Sequence, residues 1–352
     1  MNISQLNKLR IGYIPYSNKL NSAGDRRRFI FFAKQVNLKF ELFNPSKDYD
    51  IVIACTMADP KLLLNLPKKT KLVFDFADAY LAENGLSLRS ILRGFIRFSL
   101  GTSSTFYFNY KNAFIDIIRR SDVTICSSPE QRELILPFNK NVNVILDSHI
   151  EECLEVKKDY EVGKIINIGW EGQHATFPAL ISLVKRISKT YLGPFVHFHV
   201  VTDENTRQFD KFRYGPSIKN YLKIKKLPIS FYPWNVENLN KLSEICDFAI
   251  LPVNLKNTMH VLKPENRIHL FWRLGLPVLA SATKSNLRAM KNCDQDLTAI
   301  TLNDWVKLID SFRNSPSKIS EYSKLSLNYI NSNFSNEYFV SLWKEAFFEA
   351  LG

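Results

Sequence analysis

The sequence predicts an α/β protein made of two Rossmann-like parallel-sheet domains facing each other across a cleft. Three observations predict it. Short apolar strands without polar alternation recur along the chain with helical patterns between most of them, as parallel sheets covered on both faces require. Two stretches, LRIGYIPYS (9–17) and KIINIGWEGQ (164–173), open alike: a strand, a loop of small or polar residues, then a helical pattern. A length of 352 residues is long for one core and natural for two.

The elements follow in order. After the first strand comes a helical run, RRRFIFFAKQV, and then the strands DIVIAC (50–55), KLVFDFA (71–77), SDVTICSS (121–128) and VNVILDS (142–148). The charged stretch HIEECLEVKKDYEVG (149–163) reads as a linker. The second series opens at Lys164 and continues through the helix FPALISLVKRISK to FVHFHVVTD (195–203), CDFAILPV (246–253) and GLPVLAS (275–281). Near the end, NEYFVSLWKEAFFEA (336–350) carries Phe339, Leu342, Trp343, Ala346 and Phe347 on one broad apolar face. The expected domains are therefore 1–150 and 160–335, with a helix at 336–352 packing back on the body.

Composition is globular, 45% hydrophobic, without repeats. No stretch approaches the roughly 20 apolar residues that cross a bilayer, and the opening lacks a signal-peptide core, so a cytoplasmic protein is expected. Five scattered cysteines form no C-x-x-C pair, which disfavours a disulfide frame or zinc site. The formal charge of +13 suits phosphate-bearing ligands, anionic membranes or nucleic acid, and a lysine-rich solvated surface equally. No G-x-G-x-x-G or P-loop pattern appears, so ordinary dinucleotide or P-loop chemistry is not expected.

One stretch is more specific. In LKPENRIHLFWRLGLPVLAS (262–281), Pro264 suits a first helical position, Gly275 the residue just past the end, and Pro277 blocks continuation. The helix would begin at the carboxyl edge of a sheet, where free N–H groups and the helix dipole suit a phosphate. Lys263 and Arg267 add cations and Asn266 an amide, so an anion seat is expected here. The bland alternative is that the cations pair with Glu265 and surface carboxylates.

This run, CDFAILPV…LKPENRIHLFWRLGLPVLAS, resembles the donor-binding half of GT-B nucleotide-sugar glycosyltransferases, in which an apolar-Pro strand end precedes a Lys-x-x-Asn-Lys/Arg helix start and a Gly-x-Pro-Val strand. INIGWEGQ resembles the glycine-containing turn that opens the C-terminal domain of that family. FYPWNVENLNKLSEICDFAILPV resembles the segment bordering its nucleotide base, and SAGDRRRFIFFAK and DVTICSSPEQRELI resemble N-terminal-domain pieces. The resemblance implies a sugar moved from a nucleotide-sugar donor to a glycan or lipid-linked acceptor in cell-envelope polysaccharide synthesis, such as lipopolysaccharide or capsule. The N-terminal domain would bind the acceptor and the C-terminal domain the donor. It implies no cofactor and no essential metal, the leaving group being held by amides and cations.

On that resemblance Lys263, Asn266 and Arg267 would stabilise the leaving phosphate, and Gly169 and Gly172 would let backbone approach it. Glu171, Gln173, Trp170 and Trp234 complete the donor set, the two tryptophans as stacking surfaces or simply as packing. Asp25 is the leading base if transfer inverts configuration, and equally an N-terminal cap; Glu171 and His174 are alternatives. Asp75 and Asp78 would position the acceptor or merely cap. One departure stands out: where many retaining members carry Glu-x7-Glu, this chain has Leu262 and Leu270, so the usual ribose contact is absent or relocated.

A last cluster lies in LSLRSILRGFIRFSL (86–100). Arg89, Arg93 and Arg97 recur four apart beside an apolar arc, the pattern of a helix on an anionic membrane, or of a surface helix facing its own sheet. Other readings stay open: a nucleotide-sugar epimerase of the same fold, a catalytically silent relative, and a nucleic-acid binder, which no RNP, helix-turn-helix or zinc pattern supports.

Overall fold

A computed structural model of the chain describes residues 3–82, 88–101, 104–173, 175–203 and 226–352. It divides into two compact units. The first comprises Met1–Ser148, Leu262–Pro264 and Ser335–Gly352, and the second His149–Val261 and Glu265–Phe334.

In the first unit, β1 (Ile11–Ile14), β2 (Glu41–Leu42), β3 (Ile51–Cys55), β4 (Lys71–Asp75), β5 (Val123–Cys126) and β6 (Val142–Val144) form one parallel sheet in the order β2-β1-β3-β4-β5-β6. Every residue of β3 is buried, as a strand covered on both faces must be. The helical run after β1 is broken in two, α1 (Ala23–Arg26) and α2 (Phe29–Gln35). Arg28 interrupts it with a non-helical backbone (φ −125°, ψ −113°), and its side chain is buried. Further along, α3 (Leu88–Ser99) precedes β5.

The second unit holds β7 (Ile166–Glu171), α4 (Phe177–Ile187), β8 (Val196–Thr202), β9 (Ile229–Pro233), β10 (Phe248–Leu251), α5 (Asn266–Arg273), β11 (Val278–Ser281) and β12 (Thr298–Ala299). Its sheet is also parallel throughout, in the order β12-β11-β10-β7-β8-β9. The 149–163 stretch, expected as a linker, is strapped to this unit. Asn240 Oδ1 accepts from the Leu154 and Glu155 amides, and the Lys157 amide donates to the Leu274 carbonyl at 2.9 Å. The strap closes against Gly275, whose φ of +71° ends α5 in the left-handed region; a Cβ there would lie 3.0 Å from Val156.

The final helix, α6 (Asn336–Leu351), belongs to the first unit. Trp343 stacks on Phe32 with centroids 5.7 Å apart, Phe347 stacks on Phe32 at 5.6 Å, and Phe339 meets Phe31 edge-on at 5.1 Å. Leu342 of the expected face is only half-buried, and Ala350 is buried with the rest.

Candidate functional site

In the second sheet the chain runs from β7 outward to β8 and β9, then crosses to the other side of β7 for β10 and β11. The direction of winding therefore reverses between β7 and β10, and ligands of open parallel sheets bind beyond the carboxyl ends of the strands at such a reversal. The residues there are Glu171 at the end of β7, Gly172 and Gln173 just after it, and the segment that leads from β10 into α5.

Arg267, in the first turn of α5, crosses to the end of β7. Its Nη1 donates to the Glu171 carbonyl at 3.3 Å and to Thr176 Oγ1 at 3.4 Å. Gly172 makes room for it. A Cβ on Gly172 would lie 2.8 Å from Arg267 Nη1, 2.7 Å from the Trp170 ring and 2.9 Å from Thr176 Oγ1. On the β8 side, Trp234 Nε1 donates to Glu171 Oε1 at 3.0 Å, tying the end of β9 to the end of β7. Trp234 itself is half-buried. Gln173 is exposed, and its carbonyl accepts from the Thr176 amide and hydroxyl.

The start of α5 differs from the expected one. Pro264 lies two residues ahead of the helix, and Glu265 occupies the N-cap position without capping it. Its buried carboxylate instead takes a forked contact from Arg288, with Nη2–Oε2 2.8 Å and Nε–Oε1 3.2 Å. Glu265 is thus engaged by a cation well beyond the KPENR run. The Glu265 side chain does not cap the start of α5, which lies at the sheet reversal, where the N–H groups of a helix start can meet an anion. Asn266 and Arg267 belong to the second unit, whereas Lys263 groups with the first, where the Leu262 carbonyl accepts from Gln131 Nε2 at 3.4 Å.

Several expected roles are corrected. Trp170 is fully buried against Phe177 and offers no stacking face to a ligand. Gly169 lies inside β7, where a Cβ would press on Cys246 Sγ at 3.2 Å, so it serves close strand packing rather than phosphate approach. Leu270, from which no ribose contact was expected, lies wholly in the core. Asp25 is buried and fully engaged. Its carboxylate accepts from Tyr13 Oη at 2.7 Å, the Tyr16 amide at 2.8 Å, the Ser17 amide at 3.0 Å and Ser22 Oγ at 2.6 Å. Burial, and then Asp25 beside it, push the Tyr13 phenol well up, keeping it a donor. Asp25 shapes the loop after β1 and is no free base.

Asp75 is likewise held. Arg28 Nη2 contacts it at 2.6 Å and Nε at 2.8 Å, while Arg28 Nη1 reaches Asp147 at 3.0 Å and the Ile145 carbonyl at 2.8 Å. Burial pushes the Asp75 carboxyl up, and Arg28 pulls it back. This pair ties together the carboxyl ends of the first sheet and commits Asp75 to Arg28 rather than to an acceptor; Asp78 is half-buried. His174 lies outside the described residues.

Arg97 also turns the opposite way from a membrane contact. It is buried, donating to the carbonyls of Thr56 (2.9 Å), Met57 (2.6 Å) and Ala58 (3.1 Å), and lies 4.7 Å over the Tyr110 ring. The side chains of Arg89 and Arg93 lie outside the described residues. Thr176 and Arg288 are the site residues that sequence reasoning missed. Thr176 had one signal, a hydroxyl just ahead of Phe177-Pro178 at a helix start.

A comparison with protein-family models finds no match, and one with the curated proteins finds no significant match. Solved structures do match. Anabaena HepE in complex with UDP and glucose superposes with a TM-score of 0.61 at 14% identity, over 96% of this chain and 99% of that one. A glycosyltransferase from Rickettsia africae ESF-5 gives 0.60 at 13%, over 97% and 98%. These are GT-B structures. This chain has the GT-B fold. A third GT-B structure, a point mutant of S. aureus TarM with fondaparinux, α-GlcNAc-glycerol and UDP, gives 0.56 at 14% over 84% of this chain, which spans only 55% of TarM.

Proposed function

We propose that this chain transfers a sugar from a nucleotide-sugar donor to a glycan or lipid-linked saccharide acceptor in cell-envelope polysaccharide synthesis. The second unit would hold the donor and the first the acceptor. The observation that carries this reading is Arg267, seated over Gly172 at the sheet reversal in the first turn of α5. A departing nucleoside diphosphate gains negative charge in the transition state, and preorganised amides and a guanidinium stabilise it there. That service needs no metal.

UDP is the nucleotide to try first, since the HepE and TarM structures named above were solved with it. The half-buried Trp234 ring, steadied by Glu171, would flank the base. The acceptor would be met at the inner face of the plasma membrane. Thermal denaturation with UDP, GDP, CMP and dTDP tests the donor: a ligand at about 100 times its Kd adds roughly 2.7 kcal/mol. Stabilisation by none of the four would refute the reading. Epimerisation of the nucleotide sugar without any acceptor would replace transfer with the epimerase alternative.

A further inference from the structure

The inward turn of Arg97 fixes how α3 faces the solvent. With its guanidinium bound to three carbonyls of the loop after β3, the opposite side of the helix points outward. That side is apolar. Leu92 is 56% exposed, Phe95 57% and Phe98 48%. The ridge continues beyond the helix, Phe98 meeting Phe106 at 6.1 Å and Phe106 meeting Phe108 at 4.9 Å, with Phe108 73% exposed. Monomeric soluble proteins seldom leave large apolar side chains adjoining in this way without a partner.

We propose that this ridge of the first unit docks on an anionic phospholipid surface, with Leu92, Phe95, Phe98 and Phe108 entering the acyl boundary. Charge chooses the partner. Apart from Arg97, which is turned inward, the sequence from Asn84 to Ile115 has the cations Arg89, Arg93 and Lys111 and not one acidic residue. Such a stretch is drawn to lipid phosphate. A two-fold contact with a second copy would instead oppose like charges. At 12 residues α3 is about 18 Å long, too short for a hydrocarbon core of about 30 Å, so it lies in the interface plane. Among the described residues no helix is long and apolar enough to cross a membrane. This deepens the peripheral placement proposed above, and its readout is independent of nucleotide binding.

The test is sedimentation of the full chain with vesicles of phosphatidylcholine alone and of phosphatidylcholine with phosphatidylglycerol, for the wild type and for Phe95→Ser with Phe108→Ser. The wild type should pellet with the anionic vesicles, and the double variant should lose about tenfold or more of that partitioning. Unchanged denaturation of the variant shows that it folds. A Phe95→Trp chain adds a direct readout, a blue shift of emission on anionic vesicles only. Equal binding by wild type and double variant, no emission shift, or a wild-type dimer that the double variant dissolves would each overturn the proposal.

Discussion

The Arg267 guanidinium rests 3.3 Å from the Glu171 carbonyl because the residue between that carbonyl and the helix beyond, Gly172, has no Cβ to block it. Gly172→Ala puts a methyl 2.8 Å from Nη1 and displaces the cation without removing it. Arg267→Ala should lower kcat/KM for transfer at least tenfold, about 1.4 kcal/mol of transition-state stabilisation. Gly172→Ala should cause a similar loss. Full activity in a folded Gly172→Ala enzyme would separate the guanidinium position from catalysis.

The two tryptophans at this strand should behave oppositely. Trp170→Ala opens a cavity in the core of the second unit and should destabilise it by about 3–5 kcal/mol. Trp234→Ala removes a half-buried rim residue, so denaturant midpoints should move far less while nucleotide affinity falls. A Trp234→Ala chain with unchanged UDP affinity would remove the ring from the donor site.

Asp25→Asn replaces one acceptor oxygen by a donor amide facing donors on every side. The expected cost is about 1–3 kcal/mol of stability. Since the carboxylate serves the loop and not proton transfer, the shape of the pH–rate profile should survive. Disappearance of the acid limb of that profile would restore Asp25 as a base.

His269 gives an acid signature. Burial, helped by Arg273, His149 and Arg288 nearby, pushes its imidazole from the ordinary 6.5 down to about 3. Between those values the unfolded chain binds a proton that the folded chain does not, so stability falls as pH drops from 6.5 toward 3. His269→Phe keeps the ring packed beside Trp272 and Phe334 and should flatten that decline, read as urea midpoints at pH 7, 5 and 4. An unchanged slope would assign the acid sensitivity to other groups.

The sheets were legible wherever strands are buried on both faces. The strands that went unread, β2, β9 and β12, are edges, and three of the four edges in the two sheets. An edge strand lacks the unbroken apolar run that marks a central one, and β2 and β12 are only two residues long. The stop of α5 at Gly275 was equally legible, because a left-handed residue there favours glycine. Its start was not. Proline suits several positions near a helix start, and the pairing of Glu265 with Arg288 spans 23 residues.

Local pattern by itself thus determined two parallel α/β sheets, a short helix starting at a strand's carboxyl edge, and a glycine loop before it. Those depend on runs of neighbouring residues, whose burial repeats with the period of the element. Only the tertiary structure decided that Asp25, Asp75, Trp170 and Arg97 face inward while Phe95 and Phe98 stand exposed. A side chain's direction is set by partners far away in sequence: Arg97 lies 39 to 41 residues from the carbonyls that hold it. Periodicity alone does not reveal such partners.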